Sequence, residues 1–108
     1  MKVLKNYRNF HFWFRNKYKT RVAYDIIEEY KANTIYLIKD TDKNPWLITF
    51  LCPCGCKSEI HLNLLKEANP CWNYVVDKKN RITIRPSVNR TVGCKSHFNI
   101  IKGRIYWV

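Results

Sequence analysis

The chain is organised around one stretch of sequence, Phe50-Leu51-Cys52-Pro53-Cys54-Gly55-Cys56-Lys57. Three of the five cysteines of the chain fall within it, and a fourth, Cys94, lies far downstream with His97 three positions later. Soft ligands at two distant points of a short chain are typical of a tetrahedral Zn²⁺ that ties two parts of one core together. We therefore predict a structural zinc site formed by Cys52, Cys54, Cys56 and Cys94.

Five side chains compete for the four ligand positions, and the outcome decides the role of His97. If the four cysteines form a closed thiolate site, the His97 imidazole is free to act as a general base. If His97 binds the metal instead, one clustered cysteine is spare and the site is purely structural. A catalytic zinc needs an open position, which thiolate-rich sites seldom leave, so metal-activated hydrolysis is the least favoured chemistry.

The composition predicts one small cytoplasmic domain. A core built from 108 residues, 46% of them hydrophobic, is marginal enough for a structural metal to matter. No apolar run could span a bilayer and no signal peptide begins the chain, so we expect reduced thiols and no membrane partner. The net charge of +12, from 20 Lys and Arg against 8 Asp and Glu, implies an acidic partner, nucleic acid being one candidate.

The hydrophobic pattern predicts a β-rich α+β fold with two parts. Residues 1–32 are interpreted as a basic and aromatic N-terminal extension that includes a short helix over residues 22–32. Residues 33–108 are predicted to form a small, zinc-stabilised antiparallel β domain. The predicted strands cover residues 34–38, 46–51, 58–64, 72–76, 81–84, 97–101 and 104–108, with Pro86 ending the fifth of them.

The serines of the chain are Ser58, Ser87 and Ser96. Ser96 adjoins His97, and neighbours on a strand point to opposite faces, so that pair is poorly placed to share a proton. Ser87 follows a strand that could lie beside residues 94–97, which makes a Ser87–His97 nucleophile–base pair conceivable. The alternative is that Ser87 caps a turn and that His97 is a ligand or a core histidine, because such pairs are recognised only by geometry.

Four motifs occur in a fixed order along the chain: Leu51-Cys52-Pro53-Cys54-Gly55-Cys56, Arg81-Ile82-Thr83-Ile84-Arg85-Pro86-Ser87-Val88, Cys94-Lys95-Ser96-His97-Phe98-Asn99-Ile100 and Gly103-Arg104-Ile105-Tyr106-Trp107. This set resembles a family of small bacterial zinc-binding proteins, labelled as a domain of unknown function, that are found beside ubiquitin-like conjugation components. The similarity covers about residues 33 to 108. Two residues depart from the family pattern. Asn99 stands where an aromatic residue is usual, and Arg85 stands where the family more often has a small or apolar residue.

The resemblance implies a component of a bacterial ubiquitin-like conjugation pathway. Its implied partners are a ubiquitin-like protein and the activating and conjugating enzymes of that protein. Its implied activity is that of a hydrolase, a serine peptidase that matures or removes the ubiquitin-like protein with Ser87 as nucleophile and His97 as general base. Two other classes stay open: a module that binds nucleic acid through its basic surface, and a scaffold that docks the conjugation enzymes.

Overall fold

The computed structural model describes residues 17–41 and 43–108, which form eight β-strands and no helix. The strands are β1 (Lys19–Ala23), β2 (Thr34–Ile38), β3 (Leu47–Leu51), β4 (Glu59–Asn63), β5 (Asn73–Val76), β6 (Ile82–Asn89), β7 (His97–Ile101) and β8 (Arg104–Trp107). Within these ranges, no helix has the length and apolar character needed to cross a membrane. Six of the seven predicted strands are confirmed with their ends within one residue.

The strands form two four-stranded sheets in which sequence order is kept. The first sheet has the order β1-β2-β3-β4 and the second sheet the order β5-β6-β7-β8. The antiparallel pairing predicted for residues 33–108 is confirmed for each pair of strands there, whereas β1, from the predicted extension, runs parallel to β2. A parallel pair cannot be joined by a tight hairpin, so residues 24–33 form a crossover between the two strands.

The two sheets pack face to face around one core. Alternate residues of each strand point inward, and the buried set includes Ile48 and Phe50 of the first sheet and Ile84 and Phe98 of the second. The rings of Phe50 and Phe98 meet edge to face, with centroids 6.3 Å apart. Cys52 belongs to the same buried cluster, so the cysteine-rich stretch begins at the margin of this core.

The predicted helix over residues 22–32 is wrong. Val22 lies in β1 opposite Leu37, and the residues after β1 form the crossover. The Tyr30 hydroxyl lies 2.7 Å from Thr49 Oγ1, and its ring packs edge-on against Tyr36 with centroids 5.8 Å apart. Of the spaced apolar residues, Tyr30 therefore packs on the first sheet, whereas Val22 and Ile26 are exposed, and no helical stripe forms.

β1 precedes the predicted domain boundary between residues 32 and 33, yet it pairs with β2 along its whole length. Residues 19–23 therefore share a sheet with the residues that follow the boundary. The part of the predicted N-terminal extension at residues 1–16, with most of its aromatic side chains, lies outside the described residues.

The prediction that Pro86 ends a strand is also wrong, because β6 continues through Pro86. The register of β6 against β7 shifts between Ile84 and Val88, so that residues 85–87 stand against a single residue of β7. A proline is tolerated in such a bulge because the extra residues have no ladder hydrogen bond to lose. Bulges also re-aim side chains, and this one carries Ser87.

Candidate functional site

The cysteine knuckle, residues 52–56, is a tight turn between β3 and β4. The Cys52 amide donates a hydrogen bond to the Ser58 carbonyl at 2.8 Å, and the Gly55 amide donates to the Cys52 carbonyl at 3.3 Å. Gly55 has a φ of +97°, a conformation that side chains with a Cβ rarely adopt. The turn therefore depends on this glycine, and it brings three thiols together.

The thiols of the cysteine cluster, Cys52, Cys54, Cys56 and Cys94, all lie within 4.8 Å of one another. The sulfur of Cys52 is 3.5 Å from that of Cys54 and 3.6 Å from that of Cys94. Four sulfurs each about 2.3 Å from a tetrahedral zinc would be about 3.8 Å apart, so the observed spacing fits this ion. The four cysteines could hold a metal ion, and His97 lies outside their group.

Polar groups surround the cluster in a way that suits negatively charged sulfur. The Ser96 hydroxyl lies 3.1 Å from the Cys94 sulfur and 3.7 Å from the Cys52 sulfur. The Arg90 guanidinium donates to the sulfurs of Cys94 and Cys56 at 3.7 and 3.9 Å. Arg90 was not predicted from the sequence, where its only signal is a position four residues before Cys94 in a chain rich in basic residues.

The thiols differ in their tendency to ionise. Hydrogen bonds from Ser58 lower the pKa of the Cys56 thiol to about 6, and those from Ser96 lower the pKa of Cys94. Loss of hydration raises the pKa of the Cys54 thiol to about 11. Because metal ligands must be thiolates, binding of a cation by all four cysteines would release protons from the cluster.

Ser87 and His97 meet on the outer face of the second sheet. The Ser87 hydroxyl lies 2.9 Å from His97 Nε2, within the range for direct proton transfer. Asn89 stands directly opposite His97 in the ladder, and Ser87, two residues earlier, is the diagonal neighbour on the same face. The structure therefore brings together the two residues that the sequence analysis singled out, whereas Ser96 faces the cysteine cluster.

The segment 94–97 links the cysteine cluster to His97. Two residues separate Cys94 from His97, and the carbonyl of the second, Ser96, accepts a hydrogen bond from the Arg90 amide at 2.8 Å. The His97 carbonyl accepts one from the Val108 amide at 2.9 Å. The backbone on both sides of the imidazole is thus tied to Arg90 and to Val108, and only two residues separate it from the cysteine cluster.

The contact that the described part of the chain gives the His97 ring is with Ser87, and two asparagines share its face of the sheet. Within residues 17–41 and 43–108, the ion pairs formed by carboxylates involve His61 and Arg81, and the side-chain partner of His97 is Ser87. Asn89 and Asn99 lie on the same sheet face as His97. The arrangement is therefore a two-residue Ser–His pair, which can act as nucleophile and base.

Comparison with known proteins identifies the family of the chain. The family model for BubE, described as the bacterial ubiquitination-like system serine protease, matches residues 22–108 and thus most of the chain. No curated protein and no solved structure shows significant similarity to the chain. The matched region contains all four motifs on which the resemblance to a ubiquitin-like conjugation family was based, and it includes β2 to β8.

Proposed function

We propose that this chain, which belongs to the bacterial ubiquitination-like system serine protease (BubE) family, is a peptidase that acts on the ubiquitin-like protein of such a system. Ser87 is the nucleophile and His97 the general base. The contact of 2.9 Å between the Ser87 hydroxyl and His97 Nε2 carries the proposal, because it is the geometry that acyl transfer requires.

In the first half of the reaction, the Ser87 oxygen attacks the carbonyl carbon at the C-terminus of the ubiquitin-like protein. Its proton passes to His97 Nε2, which must be the unprotonated nitrogen, so the neutral ring carries its proton on Nδ1. The imidazolium then gives this proton to the leaving amine. The peptide or isopeptide bond breaks, and the acyl group stays on Ser87 as an ester.

In the second half, water replaces the amine. His97 Nε2 takes a proton from the water, whose oxygen attacks the ester carbonyl, and the proton is then returned to the Ser87 oxygen. The products are the carboxylate of the ubiquitin-like protein and the free hydroxyl of Ser87. One centre therefore serves both maturation of a precursor and removal from a conjugate, which differ only in the leaving amine.

Cys52, Cys54, Cys56 and Cys94 would hold a structural Zn²⁺ in the same protein. When bound, the ion supplies a rigid junction between the knuckle and the segment 94–97, and four thiolate ligands leave it no position for substrate. The backbone of residues 94–97 then joins this junction to His97, which lies against Ser87. A site of reduced thiols is suited to the cytoplasm, where we place the protein.

The proposal is tested by incubating the purified chain with the ubiquitin-like protein carrying a C-terminal extension, and by following the masses of the products. We expect one cut at the junction, and inhibition after treatment with a fluorophosphonate, which reacts with activated serine hydroxyls. A thiol-blocking reagent added to zinc-loaded protein serves as the control. Cleavage that survives the fluorophosphonate contradicts the proposal, as does stable binding of the precursor without cleavage, the behaviour of a docking scaffold.

A further inference from the structure

A basic groove of about 630 Å³ opens where three chain segments meet, and none of the four clustered cysteines lines it. The segments are residues 17–21 at β1, residues 79–81 at the turn between β5 and β6, and residues 102–104 at the turn between β7 and β8. Seven cations line the groove: Lys17, Lys19, Arg21, Lys79, Arg81, Lys102 and Arg104. None of the described lining residues is an acid.

The backbone around the basic groove is held by hydrogen bonds between the segments. The Tyr18 amide donates to the Gly103 carbonyl at 2.7 Å, and the Asn80 side chain donates to the Thr20 carbonyl at 2.9 Å. A Cβ at Gly103 would lie 3.0 Å from the Tyr18 carbonyl oxygen, so the two segments approach as closely as a glycine allows. The cations are therefore presented by a preformed backbone, which lowers the entropy lost on binding.

One cation of the groove is oriented in advance. The Arg81 guanidinium pairs with Asp77 at 2.7 Å, and hydrogen bonds from the Arg81 backbone hold the pKa of Asp77 below its usual value. Asp77 thus pairs with one of the seven cations, and because the described lining holds no acid, positive charge dominates the groove. Such a concentration of one sign of charge in a concave site attracts and holds an anionic partner.

We infer that the basic groove binds an acidic segment of a protein partner. A single-stranded nucleic acid is the other anionic polymer of suitable width, but its binding sites pair cations with exposed aromatic rings on which bases stack. Tyr18 is the aromatic residue among the described lining residues, and it is half-buried beside the core. Carboxylates need only the cations, which the groove supplies.

The position of the groove relates it to the Ser87–His97 pair. Arg81 precedes β6 and Ser87 lies near the end of β6, so about six extended residues, or about 20 Å, separate them. Arg85 lies exposed between the two on the same strand. If the proposed function holds, the acidic segment belongs to the substrate and lies about six residues from the bond that is cut.

The test measures binding by fluorescence anisotropy with the full chain carrying Ser87→Ala, so that no probe is cleaved. The probes are a fluorescein-labelled peptide rich in glutamate, the same peptide with glutamine in place of glutamate, and a labelled thymidine oligonucleotide. The groove variant carries Lys19→Glu and Lys79→Glu, whereas the matched control carries Lys43→Glu and Lys66→Glu. All four lysines are exposed, and both variants change the net charge equally, so their difference reports the groove alone.

We expect the groove variant to raise the Kd for the glutamate peptide at least about ten-fold more than the control variant does. The Kd of the groove variant should also depend less steeply on salt concentration than that of wild type. The glutamine peptide should bind neither protein. Equal losses in the two variants overturn the inference, as does selective loss of a tighter oligonucleotide complex. Peptide binding without any precursor cleavage by wild type would instead count against the proposed function alone.

Discussion

Turnover of the ubiquitin-like precursor is expected to fall at least about 10³-fold when Ser87 is replaced by alanine. The variant loses the oxygen that accepts the acyl group, and no described serine lies in a position to replace it, because Ser96 contacts the cysteine sulfurs. Ser87 is only half-buried, so its thermal unfolding midpoint should stay within a few degrees of wild type. The measurement is kcat/KM for the precursor, with circular dichroism for the fold.

Replacement of the proposed general base, His97, tests the same mechanism a second way. His97→Gln should lower kcat/KM to a similar level, and the double variant should be about as inactive as either single one, because nucleophile and base act as a unit. Thr91→Ala, which removes an exposed hydroxyl from the loop after β6, is the matched control and should keep its activity. Losses that multiply in the double variant would show that the two side chains work independently.

The other large effect is expected at the cysteine cluster. Replacing Cys94 by serine removes one of four thiolates, and we expect the bound zinc to fall well below one ion per chain. The free energy of unfolding should fall by about 3 kcal/mol or more, since structural zinc contributes roughly 10–16 kcal/mol in small zinc-dependent domains. Activity should fall as well, because Cys94 lies three residues before His97.

Cys71→Ser is the matched control for this variant. Cys71 is half-buried and lies outside the cluster, so its replacement should leave the zinc content at one ion per chain. Zinc is measured by atomic spectroscopy on desalted protein, and stability by denaturant unfolding with and without a chelator. Wild-type protein that contains no zinc, and whose stability is the same with and without the chelator, would contradict the proposed zinc site.

Sequence patterns predicted the strands well where the pattern is local. Alternating burial in β4 and β7 follows directly from alternating apolar and polar residues, so both strands could be located from the sequence. The false helix over residues 22–32 shows the limit of this approach. Val22 owes its strand conformation to pairing with Leu37, and no local spacing reports such a partner.

In the candidate site, too, the local motifs could be identified from the sequence, whereas the contacts between them could not. Three cysteines within five residues signal a ligand cluster, and Ser87 and His97 could be named from motifs. Their contact, however, depends on a bulge in β6 and on the register of β6 against β7, which are set by tertiary packing. Arg90 and the basic groove were not predicted, because the residues that create them come from separate segments of a chain with 20 basic residues.

The central claim is that Ser87 carries the acyl group during turnover, and mass spectrometry of an acid-quenched reaction tests it most directly. Tryptic digestion of wild type gives a peptide of residues 82–90 in which Ser87 is the only serine. We predict that a fraction of this peptide carries the C-terminus of the ubiquitin-like protein as an ester, and that Ser87→Ala protein shows no such adduct. Product that accumulates while this peptide stays unmodified, or an acyl group found on a cysteine, would contradict the claim.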